Sequence, residues 1–93
     1  MKKSEFFEAL YKVVRDITNK IPFNEEKQNS LVIKFARKRG LLPERLSGTA
    51  QHQIPVLIIL MCQMNYRTIR PAEVLCVQRY SEKAWEYFQE VEV

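Results

Sequence analysis

The residues able to bind a metal or act as a nucleophile are few and widely separated. The chain has one histidine, His52, and two cysteines, Cys62 and Cys76. Structural zinc sites use four ligands arranged as close pairs, which these three residues do not form. A cysteine–histidine nucleophile is also disfavoured, because both cysteines lie in apolar sequence that raises the pKa of a thiol. We therefore expect no metal site and no covalent catalysis.

Carboxylates and glycines do not indicate catalysis either. Glu25 and Glu26 are adjacent, so their side chains point in different directions on a helix, and the start of a helix explains both. Phosphate-binding loops need clustered glycines, whereas this chain has only Gly40 and Gly48. The residue types therefore predict a protein that is not an enzyme and binds no cofactor.

Size and composition predict one folded domain over residues 1–93. Hydrophobic residues make up 46% of the chain and charged residues 28%, which is typical of a globular protein rather than a disordered one. A chain of this length buries about two thirds of its unfolded surface, enough for a single core.

Cysteine usage and hydropathy bear on where the protein works. Two cysteines do not make a disulfide framework, and the residues after Met1 are charged rather than those of a secretion signal. The longest apolar run, residues 54–62, has nine residues, whereas a membrane-spanning helix needs about 20. We expect a cytoplasmic protein with both thiols buried and no membrane contact.

Hydrophobic periodicity predicts two helices in the first half of the chain. Residues 4–20 carry their apolar side chains on one half of a helical wheel, with Ser4 as the cap and Pro22 just beyond the end. A second helix should begin after Asn24 as its N-cap and stop at Gly40 in the left-handed conformation.

The centre of the chain is apolar without alternation. A short helical turn is predicted at Pro43, which suits the first position of a helix. The run 54–62 fits either a buried strand or a buried helix. Because no other segment offers a convincing partner strand, we predict a central helix that starts near Thr49 or Gln53 and holds Pro55 in its first turn.

The last predicted helix, residues 71–92, is the longest. Ser81 is able to cap a new helix there, but the apolar spacing continues past it and favours one unbroken helix. Steps of three and four residues form a heptad-like apolar seam of Val74, Val77, Ser81, Ala84, Phe88 and Val91. The sequence thus predicts an all-α protein, a compact bundle of four or five helices with a long C-terminal amphipathic helix.

Charge is divided unevenly along the chain. The formal net charge is +4, but residues 1–70 hold 13 Lys and Arg against 6 Asp and Glu, whereas residues 71–93 hold 2 against 5. This modest dipole is not the heavily basic profile of an obligate nucleic-acid binder. The basic residues on and after the second helix are the ones expected to attract an acidic surface: Lys34, Arg37, Lys38, Arg39 and Arg45.

Aromatic side chains favour protein binding as the function. Five phenylalanines, four tyrosines and one tryptophan are many for a small bundle to cover, and aromatic residues are enriched in interface hot spots. We therefore predict an adaptor, inhibitor or regulatory subunit with a protein partner, self-association into a homodimer being one form of that binding. The predicted contact residues lie on the last helix: Tyr80, Trp85, Tyr87 and Phe88.

Nucleic acid is the alternative partner. Residues 32–53 resemble the helix-turn-helix pattern, with Ala36 and Gly40 at the spacing that lets two helices approach and turn. The resemblance implies a DNA- or RNA-binding regulator in which Arg45 faces the nucleic acid and the basic residues of the preceding helix contact phosphates. Residue types alone do not decide between the two partners.

Overall fold

The first helix, α1 (Lys3–Lys20), starts one residue before the predicted position. The computed structural model describes residues 1–92, with side chains as far as Glu90. The predicted Ser4 cap is wrong, because Glu5 reaches back and accepts a hydrogen bond from the Lys2 backbone N–H at 3.2 Å. The helix ends as predicted before Pro22, where Ile21 is extended with φ −125° and ψ 148°.

Both predicted ends of α2 (Glu25–Lys38) are confirmed. The Asn24 side chain caps the helix by accepting a hydrogen bond from the Lys27 N–H at 2.9 Å. At the other end Gly40 has φ +73°, and the Leu41 N–H donates to the Ala36 carbonyl at 2.9 Å. Together with the bond from the Gly40 N–H to the Arg37 carbonyl at 3.0 Å, this is a Schellman C-cap.

No helix forms in residues 39–49, so the predicted helical turn at Pro43 is wrong and the described chain has four helices. The segment instead carries Leu41 and Leu42 into the core, where they are 2% and 4% exposed. The segment therefore contributes to the core although it forms no helix.

The apolar run forms α3 (Ala50–Gln63), and the predicted central helix is confirmed. Ile54, Leu57 and Ile58 are at most 1% exposed. Pro55 lies in the second turn and not the first, which corrects its predicted place. Its missing N–H leaves the Gln51 carbonyl without a helical partner, and this is tolerated because Gln51 is exposed.

The last helix, α4 (Pro71–Glu92), runs unbroken through Ser81 as predicted. Of its predicted seam, Val77, Ala84 and Phe88 are buried and Ser81 is half-buried, whereas Val74 is 38% exposed. The side chain of the remaining seam residue, Val91, lies outside the described side chains.

The other three helices all pack on α3, which contacts α4 and α2 most extensively. The contact between α1 and α4 is small, and among the described residues α2 and α4 do not touch. The radius of gyration is 12.4 Å, close to the value of about 12 Å for a compact chain of this length. In the part of the chain that is described, no helix has the length and apolar character to cross a membrane.

Candidate functional site

The residues with nucleophilic or metal-binding chemistry are dispersed. His52 is exposed and Cys62 is buried, whereas Cys76 is half-buried and not enclosed as predicted. Burial raises the pKa of the Cys62 thiol to about 11, with a smaller contribution from the charge of Glu25, so this thiol is protonated at neutral pH. Among the described side chains, no three metal-ligating residues come together.

Two of the four aromatic residues predicted to bind a partner pack against α1. Phe88 is only 4% exposed, and its ring centroid lies 4.9 Å from that of Phe6. Trp85 is half-buried and lies 5.5 Å from Phe6 and 5.6 Å from Phe88. This aromatic cluster joins the start of α1 to α4, so Phe88 contributes to the core and not to the surface.

The two tyrosines of the same set pack towards the core from α4. The Tyr87 hydroxyl lies 3.0 Å from the Thr49 hydroxyl and donates to the Gln53 side-chain oxygen at 3.1 Å. Tyr80 is half-buried against the core. None of the four predicted aromatic contacts is an exposed side chain.

The five predicted basic residues do not converge on one point. Arg37 and Arg45 line one cleft together with Glu44, whereas Arg39 lines another with residues of α1. Arg37 is half-buried, and its Nε has no hydrogen-bond partner. The remaining two, Lys34 and Lys38, are exposed, and among the described side chains none of the five takes part in an ion pair.

The helix-turn-helix geometry expected for residues 32–53 is absent. The motif joins its two helices by a turn of about 3–4 residues, but α2 and α3 are joined by the irregular segment 39–49. Arg45 therefore stands on a loop and not on a second helix. Four of the five basic residues are exposed and Arg37 is half-buried, but the recognition helix that the pattern implied is absent.

A groove with a mainly apolar lining lies between α1 and α4. Its α1 side consists of Phe7 and Tyr11, and its volume is about 450 Å³. Its α4 side consists of Val77, Gln78, Ser81 and Glu82. An ion pair between Lys3 and Glu82 joins the two helices across it.

A second hollow adjoins the groove on the outer side of α1. It has a volume of about 600 Å³ and shares Phe7 and Tyr11 with the groove. Its other lining residues are all charged: Glu8, Lys12, Arg15 and Asp16. Phe7 and Tyr11 thus separate two concave surfaces, and both residues are half-buried.

The packing of the helices explains the groove. Both α1 and α4 pack on the central helix α3 but contact each other little, and Ser81 is too small to fill the space left between them. Periodicity placed Phe7 and Tyr11 on the apolar side of α1 and did not distinguish them from core residues. On the helical wheel they lie about 100° and 140° from Phe6, at the edge of the apolar side, and this position was the signal that they border the surface.

Comparison of the chain with family models, curated proteins and solved structures found no match.

Proposed function

We propose that this protein is a non-enzymatic protein-binding module, an adaptor, inhibitor or regulatory subunit, that receives an α-helix of a partner protein in the α1–α4 groove. The observation that carries the proposal is the apolar groove lined by Phe7, Tyr11 and Val77. We place the protein in the cytoplasm and assign it no cofactor.

The shape of the groove suits a helix. The groove covers about one turn of α1 and about one and a half turns of α4, and an amphipathic helix binds such a groove through side chains spaced three and four residues apart. A volume of about 450 Å³ falls within the range of about 300–1,000 Å³ that is typical of binding pockets. Several partner side chains therefore have room in it.

The charges at the rim favour protein over nucleic acid. Glu82 borders the groove on α4, while Glu8 and Asp16 stand on the adjoining face of α1. Glu82 is paired with Lys3, and the rim as a whole has both signs of charge, which a protein helix can match and a phosphate backbone of one sign cannot. Lys12 and Arg15 on the same face supply the opposite charge.

The aromatic residues of α4 then have a supporting role. Trp85 and Phe88 pack on Phe6, which is in edge contact with Phe7 at 5.5 Å between centroids. Tyr87 holds α4 to the start of α3 through Thr49. In this proposal these aromatic residues hold the α1 and α4 sides of the groove in place.

Ser81→Arg tests the proposal, because it places a long charged side chain in the groove from a half-buried position. Gln89→Arg is the matched control, an exposed position on the same helix. Capture from cell extract should retain the same proteins with the wild type and Gln89→Arg and lose them with Ser81→Arg, while all three keep the same circular dichroism. Equal retention by Ser81→Arg would refute the groove as the binding site.

Nucleic-acid binding remains a second candidate, favoured by the five unpaired basic side chains described above. Phosphate contacts should make affinity fall steeply between low and moderate salt. Lys34→Glu with Lys38→Glu should abolish a gel shift at low salt while leaving groove-dependent capture intact. A wild-type chain that retards neither duplex nor single-stranded nucleic acid at low salt would remove this candidate.

A further inference from the structure

The outer face of α1 carries apolar and charged side chains that are not used within the chain. Phe7 and Tyr11 remain half-buried at the hollow of about 600 Å³. Glu8 and Arg15 are exposed on its edge, and neither takes part in an ion pair with another described side chain. These four residues lie on one helix and face one space.

The spacing of the two charges makes this face complementary to itself. Glu8 and Arg15 are seven residues apart, which is about two helical turns, or about 10 Å along the axis, with only about 20° between them around it. Tyr11 lies close to their midpoint. When two copies of the helix run antiparallel and cross beside Tyr11, Glu8 of each copy faces Arg15 of the other.

We propose that a second copy of this chain packs on α1 in this antiparallel arrangement, giving a two-fold symmetric homodimer centred beside Tyr11. A two-fold interface requires one surface to match itself, and the Glu8–Arg15 pairs meet this condition twice. The apolar contact comes from Phe7 and Tyr11 of both copies.

This inference rests on the proposed function, since it takes the α1 surface to be a protein-binding surface and names the second copy as its partner. The charges support this choice over other occupants. Glu8 and Asp16 balance Lys12 and Arg15 along the hollow, so this face has no excess positive charge to attract a phosphate backbone or an anionic lipid surface. A contact made by one helix face is small, so we expect a weak dimer with a dissociation constant of about 10 μM to about 1 mM.

Sedimentation equilibrium of the full chain over that concentration range tests the dimer. The variants Glu8→Lys and Arg15→Glu each replace two attractive pairs with two repulsive ones, and each should raise the dissociation constant about tenfold. The double variant Glu8→Lys/Arg15→Glu exchanges the charges and should restore dimerisation. Lys34→Glu is the control, a charge reversal on exposed α2 surface away from this face, and it should leave the dimer intact.

Restored dimerisation of the double variant would distinguish this arrangement from any other mode of association. A chain that stays monomeric at about 1 mM, or a double variant no better than the single ones, would overturn the proposal. Circular dichroism of each variant checks folding, which these exposed positions should not affect. If the chain is monomeric but still captures a partner that Ser81→Arg loses, only the homodimer is refuted. If the chain dimerises but captures no such partner, only the binding of a separate protein in the groove is refuted.

Discussion

The Tyr66 hydroxyl joins three parts of the fold, and its removal should destabilise the protein by about 1.5–4.5 kcal/mol. It accepts a hydrogen bond from the Gln28 side-chain amide at 2.9 Å and donates to the Thr18 carbonyl at 3.1 Å. The usual helical partner of the Thr18 carbonyl would be the N–H of residue 22, but that residue is proline. Tyr66 therefore supplies the donor that Pro22 lacks.

The magnitude follows from what Tyr66→Phe leaves unpaired. Gln28 is fully buried, so its amide nitrogen would lose its hydrogen-bond partner, and an unpaired buried donor costs about 1–3 kcal/mol. The lost bond to the Thr18 carbonyl adds about 0.5–1.5 kcal/mol. The edge contact of the Tyr66 ring with Phe23, at 5.0 Å between centroids, is available to phenylalanine as well and should persist.

Gln28→Met should cost far less, within about 1 kcal/mol. The Gln28 side-chain oxygen already has no hydrogen-bond partner, so methionine removes an unsatisfied acceptor together with one hydrogen bond and fills a similar volume. In the double variant, Tyr66→Phe should cost only the Thr18 bond. The two changes should therefore be non-additive by about 1–3 kcal/mol.

Urea unfolding of the wild type, both single variants and the double variant measures this coupling. Trp85 is the single tryptophan and reports on the α1–α4 packing, while circular dichroism reports on the helices. A change in transition midpoint without a change in slope is the expected form of each effect. Additivity of the two changes within about 0.5 kcal/mol would refute the reasoning.

Three further changes have defined outcomes. Phe6→Ala removes a fully buried ring that contacts Trp85, and urea unfolding should show a loss of about 3–5 kcal/mol; a loss below about 1.5 kcal/mol would contradict its core role. Asn24→Ala removes the α2 cap and should cost about 1 kcal/mol in the same assay, whereas Asn24→Ser should largely preserve stability. Hydrogen bonds from Arg67, and then from the backbone N–H that precedes α4, lower the pKa of Glu73 from 4.5 to about 2. Stability conferred by Glu73 is present above pH 4.5 and is lost as the pH falls through about 2, so thermal melts of Glu73→Gln should lack this part of the acid-induced decline; an unchanged acid profile would refute it.

Much of the secondary structure was predictable because its signals are local. Asn24 and Gly40 mark the two ends of α2 through a side-chain cap and a left-handed residue, and neither depends on distant contacts. The apolar run at 54–62 required a buried position in any fold, and α3 occupies the centre. Composition and periodicity were therefore sufficient for an all-helical bundle with one long terminal helix.

The sequence was less informative about which apolar residues at the edges of the helices are buried. Phe7 and Phe88 are both apolar aromatic residues on helices, and periodicity gives no reason to bury one more than the other. Packing of α1 and α4 on α3 buries Phe88 against Phe6 and leaves Phe7 beside a groove. The candidate binding surface therefore includes the edge of α1, and the predicted aromatic residues of α4 pack beneath or beside it.

The local signals of residues 41–48 were overridden by tertiary contacts. Pro43 favours a helical start, but burial of Leu41 and Leu42 between two left-handed glycines yields an irregular segment. Tyr66 and Gln28 are 38 residues apart, so no pattern along the chain could pair them. Caps and periodicity act within a few residues, so the helices and most of their ends follow from local sequence. Which apolar edges remain uncovered depends on how the helices share α3, and no local signal contains that information.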